Sequence, residues 1–407
     1  MDVRAQQTVI IVMVDILDEM DGSLQSIDCQ EAVGLLMTYR CNLNCRYCYV
    51  HKKRDKRMTL EMAQSILEPF LMKRGGVLNI AFMGGETLMA KDVIIPLIEW
   101  AEHQTWNRPY RFFGSTNGTL LDNSLKKWIN KHKNLFTLGL SYDGIPFTQM
   151  LNRGSDNIDL NFFIQTWPKQ PIQMTINAES VCHMSEGVIY LLEKGAVVHP
   201  NVAFENSEWS EQDVVEYGRQ LNKLIYYYMQ HEEKPLISQF IHNLNQYAYC
   251  VESPLKQEEV CGAGNGFQVF DTDGKSYPCH ILSPLVLEGE TLKAVQNGAF
   301  ECITGFSDDK CMNCPYVSSC PTCIACNYIY RKSFRKRDMT HCKIMKTEVR
   351  AFIKKEVLRL QAKQYLTPED AAEIDSIRKL LNHQSAMCQR SLVYSYVSSK
   401  HSNYGLN

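Results

Sequence analysis

Long apolar runs are missing from this 407-residue sequence. Nothing in it approaches the roughly 18 apolar residues that a membrane-spanning helix needs. The early run VIIVMV at 9–14 is too short for the core of a secretion signal, and Asp15 closes it. An excess of one charge is missing as well, since 43 Lys and Arg stand against 45 Asp and Glu. No global field draws the chain to nucleic acid or to a membrane, and neither is expected as a partner. Low-complexity tracts and internal repeats beyond a strand–helix period are also absent. The expected compartment is the cytoplasm.

What is present is enough for a large core, with 45% of residues hydrophobic. That allows two domains, or one large domain with an appendage. The anomaly is cysteine. Of 16, three stand at Cys41, Cys45 and Cys48, and eight fall between Cys261 and Cys326. In a reducing compartment clustered thiols are metal ligands more often than disulfide partners.

Residues 34–206 alternate short β-type runs with amphipathic stretches. The strand candidates are 34–39, 77–82, 110–116, 136–141, 171–176 and 202–206. Helical patterns lie between them, such as 59–74, with Thr59 as N-cap and Gly75 as stop. This alternation predicts an α/β fold with a parallel sheet, and six units give a partial (β/α)6 TIM-like barrel. Residues 1–33 form an N-terminal extension that could add an edge strand, and 207–250 a helical bridge. Residues 251–345 are loop-rich and Cys-rich, with a hairpin at DTDGK (271–275). Residues 346–407 are a helix followed by a polar, partly mobile tail. In parallel sheets chemistry sits at the carboxyl ends of strands, and the first thiol group directly follows the first strand.

RCNLNCRYC (40–48) sets three thiols with three and then two residues between them. Three thiolates can hold three corners of a cubane iron–sulfur cluster and leave one iron without a protein ligand. A structural zinc site wants four ligands, and only His51 stands near enough to complete one.

CNLNCRYC resembles the C-x3-C-x2-C signature of the radical S-adenosylmethionine (SAM) enzymes, including Tyr47 before the last cysteine. MGGET (83–87) is similar to that family's Gly-Gly-Glu motif, STNGTLL (115–121) to its Thr-Asn-Gly stretch, and LSYDG with LNR (140–153) to its ribose and carboxylate contacts. The resemblance implies a cluster on Cys41, Cys45 and Cys48. It implies SAM held by Gly84, Gly85, Glu86, Ser115, Asn117, Ser141 and Arg153, with Glu86 on the ammonium and Arg153 on the carboxylate. It also implies one-electron cleavage of SAM to a 5′-deoxyadenosyl radical, with an electron donor such as a flavodoxin or ferredoxin.

The later cysteines resemble the SPASM extension of the same enzymes, a C-terminal iron–sulfur domain with two auxiliary clusters, for three [4Fe-4S] clusters in all. That implies Cys311, Cys314, Cys320 and Cys342 on one auxiliary cluster, and Cys261, Cys279 and Cys323 on the other. Cys326 is a reserve for Cys323, because the usual three-residue spacing fits neither. Cys250 could supply a fourth ligand, and without one an iron is open to a substrate thiolate. A zinc ribbon on Cys311, Cys314, Cys320 and Cys323 is the plainer alternative. Cys29, Cys182, Cys302 and Cys388 read as ordinary thiols.

Among enzymes of this layout, the anaerobic sulfatase maturases carry an Asp where His280 stands here, and another cysteine near Phe267. The resemblance is closer to peptide maturases acting on ribosomally made Cys-containing precursors. The expected reaction is a Cys thioether cross-link, with His280 as a proton acceptor. Formylglycine formation and carbon–carbon cross-linking are the alternatives. An iron–sulfur electron carrier would have no use for Glu86, Ser141 and Arg153.

Overall fold

The computed structural model describes residues 31–50, 53–203, 205, 208–252, 263, 266–298, 308, 311, 314–317, 320 and 322–387. Cys29, His51, Cys261, Cys302, Cys388 and almost all of the N-terminal extension lie outside these residues.

Six strands each feed helical structure in chain order. They are β1 (Ala32–Thr38), β2 (Leu78–Gly84), β3 (Tyr110–Thr116), β4 (Phe136–Leu140), β5 (Ile172–Ile176) and β6 (Val198–Val202). The intervening helices are α1 (Leu60–Met72), α2 (Lys91–Glu102), α3 (Asn123–His132), α4 (Pro146–Arg153), α5 (Leu160–Thr166) and α6 (Met184–Glu193). β1 is buried along its whole length, as a parallel strand covered on both faces must be, and its sequence is accordingly a continuous apolar run. β1 to β4 pair in parallel, β5 pairs in parallel with β6, and a bridge from Ser141 to Gln173 carries the arc from β4 to β5.

Local signals place the helices. Thr59 accepts from Met62 N at 3.2 Å to start α1, and Asp122 accepts from Leu125 N at 2.8 Å to start α3. Ala63, Ile66, Leu67 and Leu71 form the buried stripe of α1. Each fully buried Leu or Ile contributes roughly 1.5–3 kcal/mol of transfer free energy.

The sixth strand is four residues earlier than the 202–206 expected from the sequence. Pro200 lies inside it, which the strand tolerates because β5 is its one partner among the described residues. The hairpin at 271–275 is present, between β7 (Phe267–Phe270) and β8 (Ser276–Tyr277). Its placement was not legible: β7 pairs in parallel with β1, extending the barrel sheet on the side away from β2.

The bridge comprises α7 (Glu211–Gln230), opened by a capping box of Ser210 and Asp213, and α8 (Leu244–Glu252). Beyond it come α9 (Gly289–Gln296), α10 (Ile324–Arg331) and α11 (Met339–Ala362), which packs along α7. The tail departs from expectation. Residues Pro368–Met387 form a further helix, α12, which buries Ile377 and Leu380 and packs on α8. Thr367 and Asp370 cap it reciprocally at 2.9 and 3.2 Å, a start signal that the polar composition concealed. Among the described residues no helix is long and apolar enough to cross a membrane.

Candidate active site

The thiol loop leaves β1 at Thr38 and is clasped from several sides. Asn117 Nδ2 donates to Asn42 Oδ1 at 3.0 Å, Asn42 Nδ2 donates to Thr119 Oγ1 at 2.8 Å, and Lys53 donates to the Leu43 carbonyl. Arg46 N donates to Asn152 O at 2.9 Å, while its guanidinium pairs with Glu179. The loop therefore lies across the carboxyl ends of β1, β3 and β4.

Gly84 and Gly85 bring the end of β2 against the start of this loop. Gly84 has a φ of +140°, and a Cβ there would overlap the Thr38 carbonyl oxygen. A Cβ on Gly85 would overlap the Arg40 carbonyl oxygen and stand 2.7 Å from its carbon. The closeness permits hydrogen bonds from Gly85 N to Thr38 O at 2.9 Å and from Glu86 N to Arg40 O at 2.8 Å.

Glu86 is 2% exposed. Its Oε1 accepts from Thr116 Oγ1 at 2.7 Å and Leu88 N at 3.0 Å, and its Oε2 from Asn117 N at 2.8 Å. Burial raises its pKa above the ordinary carboxylate value, and these three bonds work against that rise. A carboxylate has about four acceptor sites, so one remains on Oε2. Of the expected neighbours, Asn117 is buried and contacts Glu86, whereas Ser115 is exposed and the adjacent Thr116 makes the Glu86 contact. Ser141 directly follows β4, its N donating to Thr116 O at 2.9 Å.

Arg153, 8% exposed, closes α4 and donates to Asp143 Oδ1 at 2.9 Å. Burial works against its charge, but Asp143 and its other neighbours hold its pKa above the usual value. Its guanidinium lies 5.4 Å over the Tyr47 ring, and Tyr47 OH donates to Asp143 Oδ2 at 2.5 Å. Asp143 and Thr116 are the residues the sequence reading missed. Both stood inside quoted motifs, and no local pattern marks a buried carboxylate whose partners lie 10 and 96 positions away.

The three thiols feel one another. Burial first, then neighbouring thiols, raises Cys45 to about 11, and burial likewise raises Cys41. No group of three or more His, Cys, Asp or Glu among the described residues forms a finished metal cage. Three soft donors in one short loop, beside a buried carboxylate and guanidinium, are nonetheless a donor set that fits an iron–sulfur cluster with SAM.

The later cysteines fall into two groups. Cys311, Cys314, Cys320 and Cys342 interact with one another, and burial pushes Cys320 up to about 12. Cys342 N donates to Asp338 O at 3.2 Å in the first turn of α11. Cys323 belongs elsewhere. It caps α10, accepting from Cys326 N at 3.5 Å, and the Cys326 thiol lowers its pKa while that of Cys326 is raised. Cys279 lies near this pair. Tyr49 feels Cys48 of the thiol loop as well as Cys279, Cys326 and Cys323. Cys250 is buried on α8, and Cys182 is exposed. His280 is buried with its ring 5.5 Å from that of Tyr49, its Nδ1 has no hydrogen-bond partner, and burial lowers its pKa to about 4.

Residues 35–156, which run from β1 to β4 and carry the three-thiol loop, match the Radical SAM superfamily. Within it, a cysteine-type anaerobic sulfatase-maturating enzyme of Clostridium perfringens is 34% identical over 123 residues, 28% of this chain and 32% of that protein. An Fe-coproporphyrin III synthase of Methanosarcina barkeri is 35% identical over 121 residues, 29% of this chain and 28% of that protein. The chain thus spans well under half the length of the curated relatives it matches, 43% at most among the first of them. The fold likeness reaches further. Native anSMEcpe with bound AdoMet superposes with a TM-score of 0.59 at 20% identity, over 81% of this chain and 97% of that one. Streptococcus suis SuiB bound to the precursor peptide SuiA does so with a TM-score of 0.52 at 17% identity, over 76% of this chain and 75% of that one.

Proposed function

We propose that this chain is a radical SAM enzyme acting on a peptide, forming by preference a thioether between a Cys sulfur and an unactivated carbon of a ribosomally made precursor. The observation that carries the reading is the thiol loop clasped beside Glu86 and Arg153 inside the segment that matches the superfamily. Cys41, Cys45 and Cys48 would hold the cluster. When bound, cluster and SAM supply hydrogen-abstracting radical chemistry that no side chain provides.

The remaining acceptor site of Glu86 suits an ammonium group, and Arg153 suits a carboxylate. Burial of both limits water around the reacting groups. Cys311, Cys314, Cys320 and Cys342 would hold one auxiliary cluster, and Cys279 and Cys323 with Cys261 the other, with Cys326 in reserve. His280 is neutral near pH 7, so it can take up a proton there, though only as a weak base. An electron donor of the flavodoxin or ferredoxin class completes the reading. A peptide substrate is supported by the fold shared with SuiB bound to a precursor peptide and with anSMEcpe bound to a Cys peptide.

Formylglycine formation is the second reading, favoured by the 34% identity to the sulfatase-maturating enzyme. The test incubates the anaerobically reconstituted protein with SAM, a reductant and Cys-containing peptides, and reads products by mass spectrometry. Loss of two hydrogens together with a Cys thiol that can no longer be alkylated after disulfide reduction supports the thioether, because a carbon–carbon cross-link leaves the thiol free. Replacement of the Cys sulfur by an aldehyde oxygen establishes formylglycine, and unmodified peptides with released 5′-deoxyadenosine refute a substrate of this class.

A further inference from the structure

We propose that Asp143 is a positioning residue that locks the thiol loop to the Arg153 side of the site, so that the two halves of the SAM cradle hold one geometry. The proposal rests on the radical SAM reading above. Asp143 is 1% exposed, and its carboxylate reaches three separate elements. Oδ1 accepts from Arg153 Nη2 of α4 at 2.9 Å and from Thr175 N of β5 at 3.0 Å. Oδ2 accepts from Tyr47 OH of the thiol loop at 2.5 Å.

The Asp143 backbone is pinned as firmly. Its N donates to Gln149 Oε1 at 2.9 Å, and its carbonyl accepts from the Thr148 hydroxyl. Gln149 is itself held by Ser155 O at 2.8 Å. A carboxylate that only balanced a buried guanidinium could offer it both oxygens in a bidentate pair, yet Arg153 takes Oδ1 alone. Here the second oxygen is committed to Tyr47.

Tyr47 stands between Cys45 and Cys48, in a loop without regular secondary structure. Few backbone hydrogen bonds hold such a loop, so a side-chain tether has a disproportionate effect on where its thiols lie. The guanidinium over the same ring closes a triangle in which displacing one member displaces the other two. Arg153 Nε, buried and without a hydrogen-bond partner, keeps donor capacity for an anionic group. Asp143 thereby couples the group that grips SAM to the loop that grips iron.

The test uses the anaerobically reconstituted full chain with Tyr47→Phe, Asp143→Asn and the double variant. SAM binding is measured by equilibrium dialysis without reductant, and the change SAM produces in the EPR spectrum of the reduced protein is recorded. Tyr47→Phe should retain iron and unfolding midpoint yet bind SAM about 10-fold more weakly, the effect of one lost hydrogen bond to a charged group. Asp143→Asn should weaken binding further, and the double variant should be no worse than Asp143→Asn. In both single variants the SAM-induced spectral change should be reduced. SAM affinity within twofold of the parent for Tyr47→Phe overturns the proposal, as do fully additive losses in the double variant. Should Asp143→Asn fail to fold, Tyr47→Phe decides alone. A parent protein that binds neither iron nor SAM overturns the radical SAM reading and this proposal with it, a result distinct from intact binding by parent and variants alike.

Discussion

Replacing Gly85 by Ala tests whether the site depends on backbone contact between the end of β2 and the thiol loop. The new Cβ would overlap the Arg40 carbonyl oxygen, with the Arg40 carbon at 2.7 Å and the Tyr39 oxygen at 3.0 Å. Carbon atoms rest at about 3.5–4.0 Å, so the loop must retreat by about 1 Å. All three close atoms are backbone, and no rotamer change relieves them. Overpacking of this kind costs about 1–3 kcal/mol. Retreat also stretches the bond from Glu86 N to Arg40 O, now 2.8 Å, worth about 1 kcal/mol. The expected loss is about 2–4 kcal/mol. Gly76→Ala is the control, because nothing lies within 4 Å of its added Cβ. A surface change of that kind should stay within about 0.5 kcal/mol. Urea unfolding of the two anaerobically purified variants, followed by circular dichroism, gives the comparison, and iron content shows whether Cys41, next to Arg40, still binds. Coincident midpoints and equal iron would refute the reasoning.

Replacing Cys41, Cys45 and Cys48 together by Ala should abolish 5′-deoxyadenosine release, measured by chromatography after incubation with SAM and reductant; persistent release would sink the radical SAM assignment. Iron analysis after anaerobic reconstitution should approach about twelve atoms per chain if three four-iron clusters bind, and about four would remove the auxiliary pair. Glu348, on α11, accepts from Tyr217 OH of α7 at 2.6 Å, and burial raises its pKa to about 7 against that bond. Its folded pKa exceeds the ordinary value of 4.5, so its contribution is fully present below about pH 4.5 and lost as pH rises through 7. The parent should therefore lose about 2.5 kcal/mol between pH 5 and pH 8 relative to Glu348→Gln, read from unfolding midpoints at those two values. Equal pH dependence in the two proteins would contradict it.

The sequence by itself determined what is local. The spacing of Cys41, Cys45 and Cys48, the strand before them, the cap at Thr59 and the alternation of β1 to β5 with helices all lie within a few residues of their own cause. The hairpin around Gly274 was legible for the same reason. Tertiary structure alone decided what depends on meetings across the chain. It paired β7 with β1, joining Tyr39 OH to Asp271 at 2.5 Å across 232 positions. It set Asp143 between Tyr47 and Arg153. Such contacts leave no periodicity to read, because a buried carboxylate is chosen by partners that the folded sheet brings to it, and only the curved run of strands brings these three together.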